Sequence, residues 1–172
     1  MEIRALREQD DRSRFQSGAP ELDHFFRQFA GQNQFRHHIG VSYVAVESER
    51  IFGFATIAPG QIEIESLPLS ARKKLPRYPL PVIRLARLAV DESARGQGVG
   101  EQLLRFVFTL AVRMANEFGC VGVVVDAKAD AVNFYAKYGF VSIHALEGQS
   151  DARPQPETMF LSMRAIKDSI GL

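Results

Sequence analysis

The stretch that most constrains this chain runs from Arg84 to Leu104, RLARLAVDESARGQGVGEQLL. An apolar run with two arginines leads into glycines at Gly96, Gly98 and Gly100, and then into an apolar pattern of helical period. Glycine weakens strands and helices alike, so three at alternate positions between a strand and a helix mean that the backbone must be bare there. A strand feeding a helix through such a loop offers a nest of backbone N–H groups at the positive helix end, where an anion approaches without Cβ atoms in its way. A pyrophosphate is the natural ligand, and dinucleotides and nucleotides use loops of this kind. No Lys-Ser/Thr pair follows Gly100, which excludes a P-loop. The glycine spacing and the mid-chain strand before it exclude a Rossmann fingerprint.

The rest of the chain supplies an α/β frame. Its 172 residues predict one domain over 1–172, and 46% hydrophobic residues suffice for a sizeable core. Glu2–Leu6 reads as a strand. Ser17–Phe35 reads as one helix, with Ser17 as cap, Pro20 in the first turn and Leu22, Phe25, Phe26 and Phe29 on one side. Val41–Glu47 and Ile51–Gly60 predict an antiparallel hairpin. Four prolines leave room for only a short helix at Leu69–Leu75. Val82–Val90 is a long strand. Val99, Leu103, Phe106, Val107, Leu110 and Met114 mark a long helix that ends at Gly119. Then follow a strand at Cys120–Ala127, a helix over Ala129–Gly139, and strands at Phe140–Leu146 and Thr158–Ile166 around a polar loop. The order is β-α-β-β-α-β-α-β-α-β-β, an α/β mixed sheet with a strand–loop–helix–strand unit at its centre.

Charge and cysteine usage narrow the function classes. The formal net charge is +1, so the whole molecule is no basic nucleic-acid binder. Yet Ala71–Arg113 holds nine Lys or Arg against three Asp or Glu, which localises the basic excess around the glycine loop. Such a surface suits the phosphates of a cofactor or a nucleic acid. No apolar run approaches 18 residues, the N-terminus is charged, and the single Cys120 permits no internal disulfide, which predicts a cytoplasmic protein outside the membrane. His24, His37, His38 and His144 lack ligand spacing, so no metal is expected.

Two motifs together carry a family resemblance. Arg95–Gly100, R-G-Q-G-V-G, is similar to the Arg/Gln-x-x-Gly-x-Gly/Ala acetyl-CoA motif of the GNAT N-acetyltransferases. Ala131–Phe140, A-V-N-F-Y-A-K-Y-G-F, is similar to their later Ala-x-x-Phe-Tyr-x-x-x-Gly-Phe motif. Phe15–Phe26, Pro81–Asp91 and Val123–Lys128 further resemble the GNAT-type toxins of toxin–antitoxin pairs. The resemblance implies a single-domain GNAT fold: a mixed, mostly antiparallel sheet with splayed central strands and flanking helices. It implies acetyl-CoA as co-substrate. Arg95, Gly96, Gln97, Gly98, Val99 and Gly100 would hold its pyrophosphate, Leu88, Ala89 and Val90 would pair with pantetheine, and Asn133 would lie beside it. Tyr135 is the implied general acid. The toxin resemblance further implies the α-amine of aminoacyl-tRNA as acceptor, a ribbon-helix-helix antitoxin as partner and a homodimer as a further expectation. Arg72, Lys73, Lys74, Arg77, Arg84 and Arg87 then become candidates for tRNA phosphates. Two other functions fit the same residues: acetylation of a small-molecule or peptide amine, and a non-catalytic acetyl-CoA-binding interaction module. The chain departs from the family pattern at two places. Lys128 stands where an asparagine is frequent, and Arg87 stands in the strand where many members carry a general-base glutamate.

Overall fold

The computed structural model describes residues 1–72, 75–143 and 156–172. The chain divides into two compact units, Met1–Ala58 with Leu85–Val107, and Pro59–Arg84 with Phe108–Leu172.

The first unit holds β1 (Glu2–Ala5), α1 (Pro20–Gln28), α2 (Ala30–Phe35), β2 (Val41–Glu47), most of β3 (Arg50–Ile62), the second half of β4 (Leu80–Val90) and the start of α4 (Val99–Glu117). β1 pairs antiparallel with β2, Glu2 opposite Val46, and β2 pairs antiparallel with β3, Val41 opposite Ile57, with a register shift at Ala45/Val46. Ser48 and Glu49 turn the hairpin with φ of 51° and 65°. Two left-handed residues match the twist of a tight hairpin, although neither is the usual Asn or Gly. Aromatic rings make the core. Phe26 stacks on Phe54 at 4.3 Å, and Phe15 meets both edge-on at 5.0 and 5.4 Å.

The single helix expected over Ser17–Phe35 is two helices. Ser17 is not the cap: its hydroxyl donates to the buried Asp23 carboxylate at 2.6 Å and accepts from the Ala19 N–H, so α1 starts at Pro20 with Ala19 before it. The break at Phe29 has a distant cause. The Arg12 guanidinium donates to the Phe26 carbonyl at 2.7 Å and to the Arg27 carbonyl at 3.4 Å, taking acceptors that a continuous helix would use.

The second unit holds the end of β3, α3 (Leu69–Arg72), the start of β4, the rest of α4, β5 (Gly122–Ala127), α5 (Val132–Lys137), β6 (Val141–Ser142), β7 (Glu157–Ser162) and α6 (Met163–Ser169). β7 pairs antiparallel with both β5 and β6. Ile62, Leu67, Leu80, Val82, Val124 and Phe160 pack as its core. Strand order along the mixed sheet is β1-β2-β3-β4-β5-β7-β6. The last strand expected at Thr158–Ile166 stops at Ser162, whose hydroxyl accepts from the Ala165 N–H and caps α6 instead. The strand expected at Phe140–Leu146 covers Val141–Ser142. Residues 144–146, with His144 among them, lie outside the described residues, as do Lys73 and Lys74. No helix among the described residues is long and apolar enough to cross a membrane.

Candidate functional site

The loop between β4 and α4 is anchored by a residue that the sequence reading passed over. Asp91 is buried, and its carboxylate accepts from the Gln16 N–H at 2.9 Å, the Ser93 N–H at 3.1 Å and the Ser93 hydroxyl at 2.6 Å. Arg50 lies 3.4 Å away. Burial works against the charge, but the Ser93 and Gln16 hydrogen bonds and Arg50 outweigh it and hold the carboxyl below its ordinary range. The Asp91 N–H donates to the Phe52 carbonyl, so the strand end is pinned to β3 as well. Asp-x-Ser after a strand is the local signal that marks such a turn.

Beyond this anchor the backbone turns left-handed twice, at Gly96 (φ 76°) and Gly98 (φ 80°), and a Cβ at either would meet nothing within 4 Å. The loop is therefore bare on its open side. Gly100 differs from the other two: it lies in the first turn of α4. That turn is seated by Gly53 of β3, where a Cβ would come within 2.8 Å of Val99 and 3.0 Å of Leu103. Gln97 is exposed and Val99 is buried. The Arg95 guanidinium donates to the Ser17 carbonyl. Upstream, Ala89 is buried between half-buried Leu88 and Val90. An open nest at the start of a 19-residue helix fits a pyrophosphate.

Arg87 is half-buried, its guanidinium 3.7 Å above the Phe25 ring, a cation–π pair, and burial lowers its pKa. Among the described residues it has no ion-pair partner. Beside it opens a cavity of about 90 Å³, into which Ser42 and Thr56 also face. These two buried hydroxyls lie 2.6 Å apart.

In the second unit, α5 carries Asn133, which is exposed, and Tyr135, which is 5% exposed. Phe134 and Phe140 meet the Tyr135 ring edge-on at 5.2 and 5.4 Å. Burial pushes its phenol up from the ordinary value near 10, so the ring keeps its proton at neutral pH. Tyr138 is half-buried against Phe134.

The basic residues differ in what they hold. Arg72 folds back on its own segment, donating to the Leu67 and Glu65 carbonyls at 2.8 and 2.7 Å. Arg84 pairs with Asp126 at 2.9 Å, and Thr158 donates to the same carboxylate. Arg77 is exposed next to exposed Tyr78. Cys120 is a buried thiol, raised by burial, and no metal-binding cluster is found among the described residues.

The bare phosphate nest at the start of a long helix and the protonated buried phenol on a later helix are each compatible with a coenzyme-dependent acyltransferase. Residues 38–142 match the family described as "Acetyltransferase (GNAT) domain". The chain is 35% identical over 140 residues to the tRNA-acetylating toxin of Mycobacterium tuberculosis, covering 80% of this chain and 82% of that protein. Among solved structures it superposes on AtaT complexed with acetyl-methionyl-tRNAfMet with a TM-score of 0.84 at 26% identity, covering 98% of both chains. It superposes on AtaTR bound with acetyl-CoA with a TM-score of 0.78 at 28% identity, covering 98% of this chain and 97% of that one. The chain belongs to the GNAT acetyltransferase family, and it is an acetyl-CoA-dependent acetyltransferase.

Proposed function

We propose that this chain is the toxin of a toxin–antitoxin pair and acetylates the α-amine of aminoacyl-tRNA. One observation carries the reading: the identity to a tRNA-acetylating toxin runs over four-fifths of the chain and takes in both the nest and α5. Acetyl-CoA supplies an activated acetyl thioester. The N–H groups of Arg95–Gly100 would hold its pyrophosphate, and the backbone of Leu88–Val90 would pair with pantetheine, with an N–H there available to the charge that develops on the carbonyl oxygen. Asn133, exposed on α5, would lie beside the coenzyme. Tyr135 holds a proton on Oη at working pH and gives it to the departing thiolate.

The chain has no acidic residue in the Leu85–Val90 segment. An acceptor that deprotonates easily suits such a site, and the α-amine of an aminoacyl ester is one. Arg77, Lys73 and Lys74 meet tRNA phosphates. Arg72 and Arg84 support the surface through their internal partners. Residues 1–172 form one catalytic domain in the cytoplasm, neutralised by a ribbon-helix-helix antitoxin and paired as a homodimer.

The test is transfer of radiolabelled acetyl from acetyl-CoA to charged tRNA, uncharged tRNA, free amino acids and polyamines. Label in charged tRNA, released as N-acetyl amino acid on base hydrolysis, is expected. Equal labelling of free amines without RNA overturns the reading in favour of a small-amine acetyltransferase, which the internal pairing of Arg72 and Arg84 would then suit.

A further inference from the structure

The cavity beside Arg87 lies wholly in the first unit, and its walls come from α1, α2, the Ile39–Gly40 segment, β2, β3 and β4. Of its ten lining residues only Arg87 carries a charge. That charge is half-buried, has an aromatic face for company and no carboxylate among the described residues. A cation kept partly out of water without an anion is costly, so its presence asks for a use. The floor is polar, since each of the Ser42 and Thr56 hydroxyls keeps hydrogen-bonding capacity beyond the bond they share.

The position says what enters. On the reading proposed above, the amine attacks alongside Leu88–Val90, and Ala86 and Arg87 are the residues of β4 just before that segment. A strand advances about 3.3 Å per residue, so the substituent on the carbon bearing the amine falls within one or two residues of it, at the cavity mouth. The size says how much enters. Water takes about 30 Å³, so about 90 Å³ admits three or four non-hydrogen atoms.

We propose that this cavity receives the side chain of the aminoacyl acceptor and that Arg87 makes it selective for non-cationic, non-aromatic side chains of up to about four non-hydrogen atoms. Lysyl and arginyl groups are rejected by like charge, phenylalanyl and tryptophanyl groups by volume. Selectivity of this kind works as much by exclusion as by fit.

The experiment uses one tRNA body charged by a ribozyme with glycine, valine, leucine, lysine or phenylalanine, so that only the side chain varies. The readout is relative kcat/KM for acetylation. The wild type is expected to prefer valyl and leucyl over lysyl and phenylalanyl acceptors by at least about tenfold, the scale of one like-charge contact at a partly buried site. Arg87→Met keeps a chain over Phe25 and removes the charge, and it should shrink the leucyl-to-lysyl ratio about tenfold. Ala86 is exposed, so Ala86→Leu leaves the core alone and narrows the mouth. It should raise the glycyl-to-leucyl ratio about tenfold, and it tests the pocket even if Arg87→Met fails to fold. Similar rates for every charged tRNA, or ratios unmoved by both substitutions, overturn the pocket while leaving the aminoacyl-tRNA reading intact. Acetylation of free amines with no charged tRNA accepted overturns both.

Discussion

Gly98→Glu is the sharpest probe of the nest, because its structural cost and its binding cost separate. At φ 80° any L side chain is strained, and the left-handed region costs a non-glycine residue about 1–2 kcal/mol. There is no clash to add, since a Cβ at Gly98 meets nothing within 4 Å. For a chain of this length 1 kcal/mol moves Tm by about 2–4 °C, so the apo variant should melt about 2–8 °C below wild type. Ligand at about 100 times Kd adds about 2.7 kcal/mol, which should raise the wild-type Tm by about 5–11 °C. The carboxylate in Gly98→Glu opposes the pyrophosphate at the helix N-terminus, and that rise should vanish. Gly171 is the matched control: its φ is also 80° and a Cβ there also meets nothing within 4 Å. Gly171→Glu should keep the whole acetyl-CoA shift. Thermal melts with and without acetyl-CoA, with calorimetry for Kd, read all of this. A folded Gly98→Glu that still shows the wild-type shift refutes the phosphate nest, and equal losses in the two variants would trace the effect to general strain.

Tyr135→Phe keeps the ring in its aromatic bracket and removes the proton, so kcat should fall about 10²–10⁴-fold with acetyl-CoA affinity nearly unchanged. Wild-type kcat should show no fall below pH 10 assignable to this phenol, whose pKa burial raises; a kcat within threefold of wild type in the Phe variant makes Tyr135 a packing residue. Asp91→Asn replaces one accepting oxygen with a donor among the Gln16 and Ser93 donors, and should lower stability by about 1.5–3 kcal/mol at pH 7. The folded pKa lies below the ordinary 3.8, so this stability is fully present above that value and is lost as pH falls through the folded pKa. Denaturant titrations should show wild type and variant converging there, and parallel curves down to pH 2 would contradict the assignment. Replacing Lys73, Lys74 and Arg77 together by Ala should flatten the slope of log tRNA affinity against log salt by up to about two to three units, while Arg72→Ala leaves it unaltered. Equal slopes in all three proteins would remove this segment from the tRNA surface.

What the sequence made legible was what short-range chemistry decides. Glycine spacing and helical period placed the end of β4, the loop and α4 within a residue or two of where they lie, because a bare backbone and an amphipathic face are both local properties. The hairpin of β2 and β3 was readable for the same reason. Long-range contacts were not readable. α1 ends where it does because Arg12, 14 residues before Phe26, takes its last carbonyls. Counting lysines and arginines gave a basic cluster, but Arg84 meets an aspartate 42 residues away and Arg72 turns onto its own backbone, which charge counting does not see. Arg87 was visible as an oddity in β4, where a glutamate is frequent. Only the fold places it on Phe25 beside a cavity.

That placement bears on how a site with an acid but no obvious base can work. An amine must lose its proton before it attacks, and a nearby cation lowers its pKa by disfavouring the protonated form, as a lysine is tuned by a neighbouring positive charge. Arg87 supplies a cation that cannot itself deprotonate in the working range, and the other nine residues lining the cavity carry no charge to offset it. For charges about 7 Å apart, an effective dielectric between 20 and 80 gives about 0.6–2.4 kcal/mol, or about 0.4–1.7 pH units. Arg87→Met should therefore move the acid limb of the kcat profile, which reports the bound amine, to higher pH by that amount, measured with saturating leucyl-tRNA between pH 5.5 and 8, where the ester survives the assay. Gln in place of Arg87 should do the same, since it also lacks the charge, whereas Arg87→Lys should restore the wild-type limb even if its shorter head weakens binding. An acid limb that stays put in the Met and Gln variants would mean that Arg87 does not act on the amine's proton, and the base would have to be sought in another group.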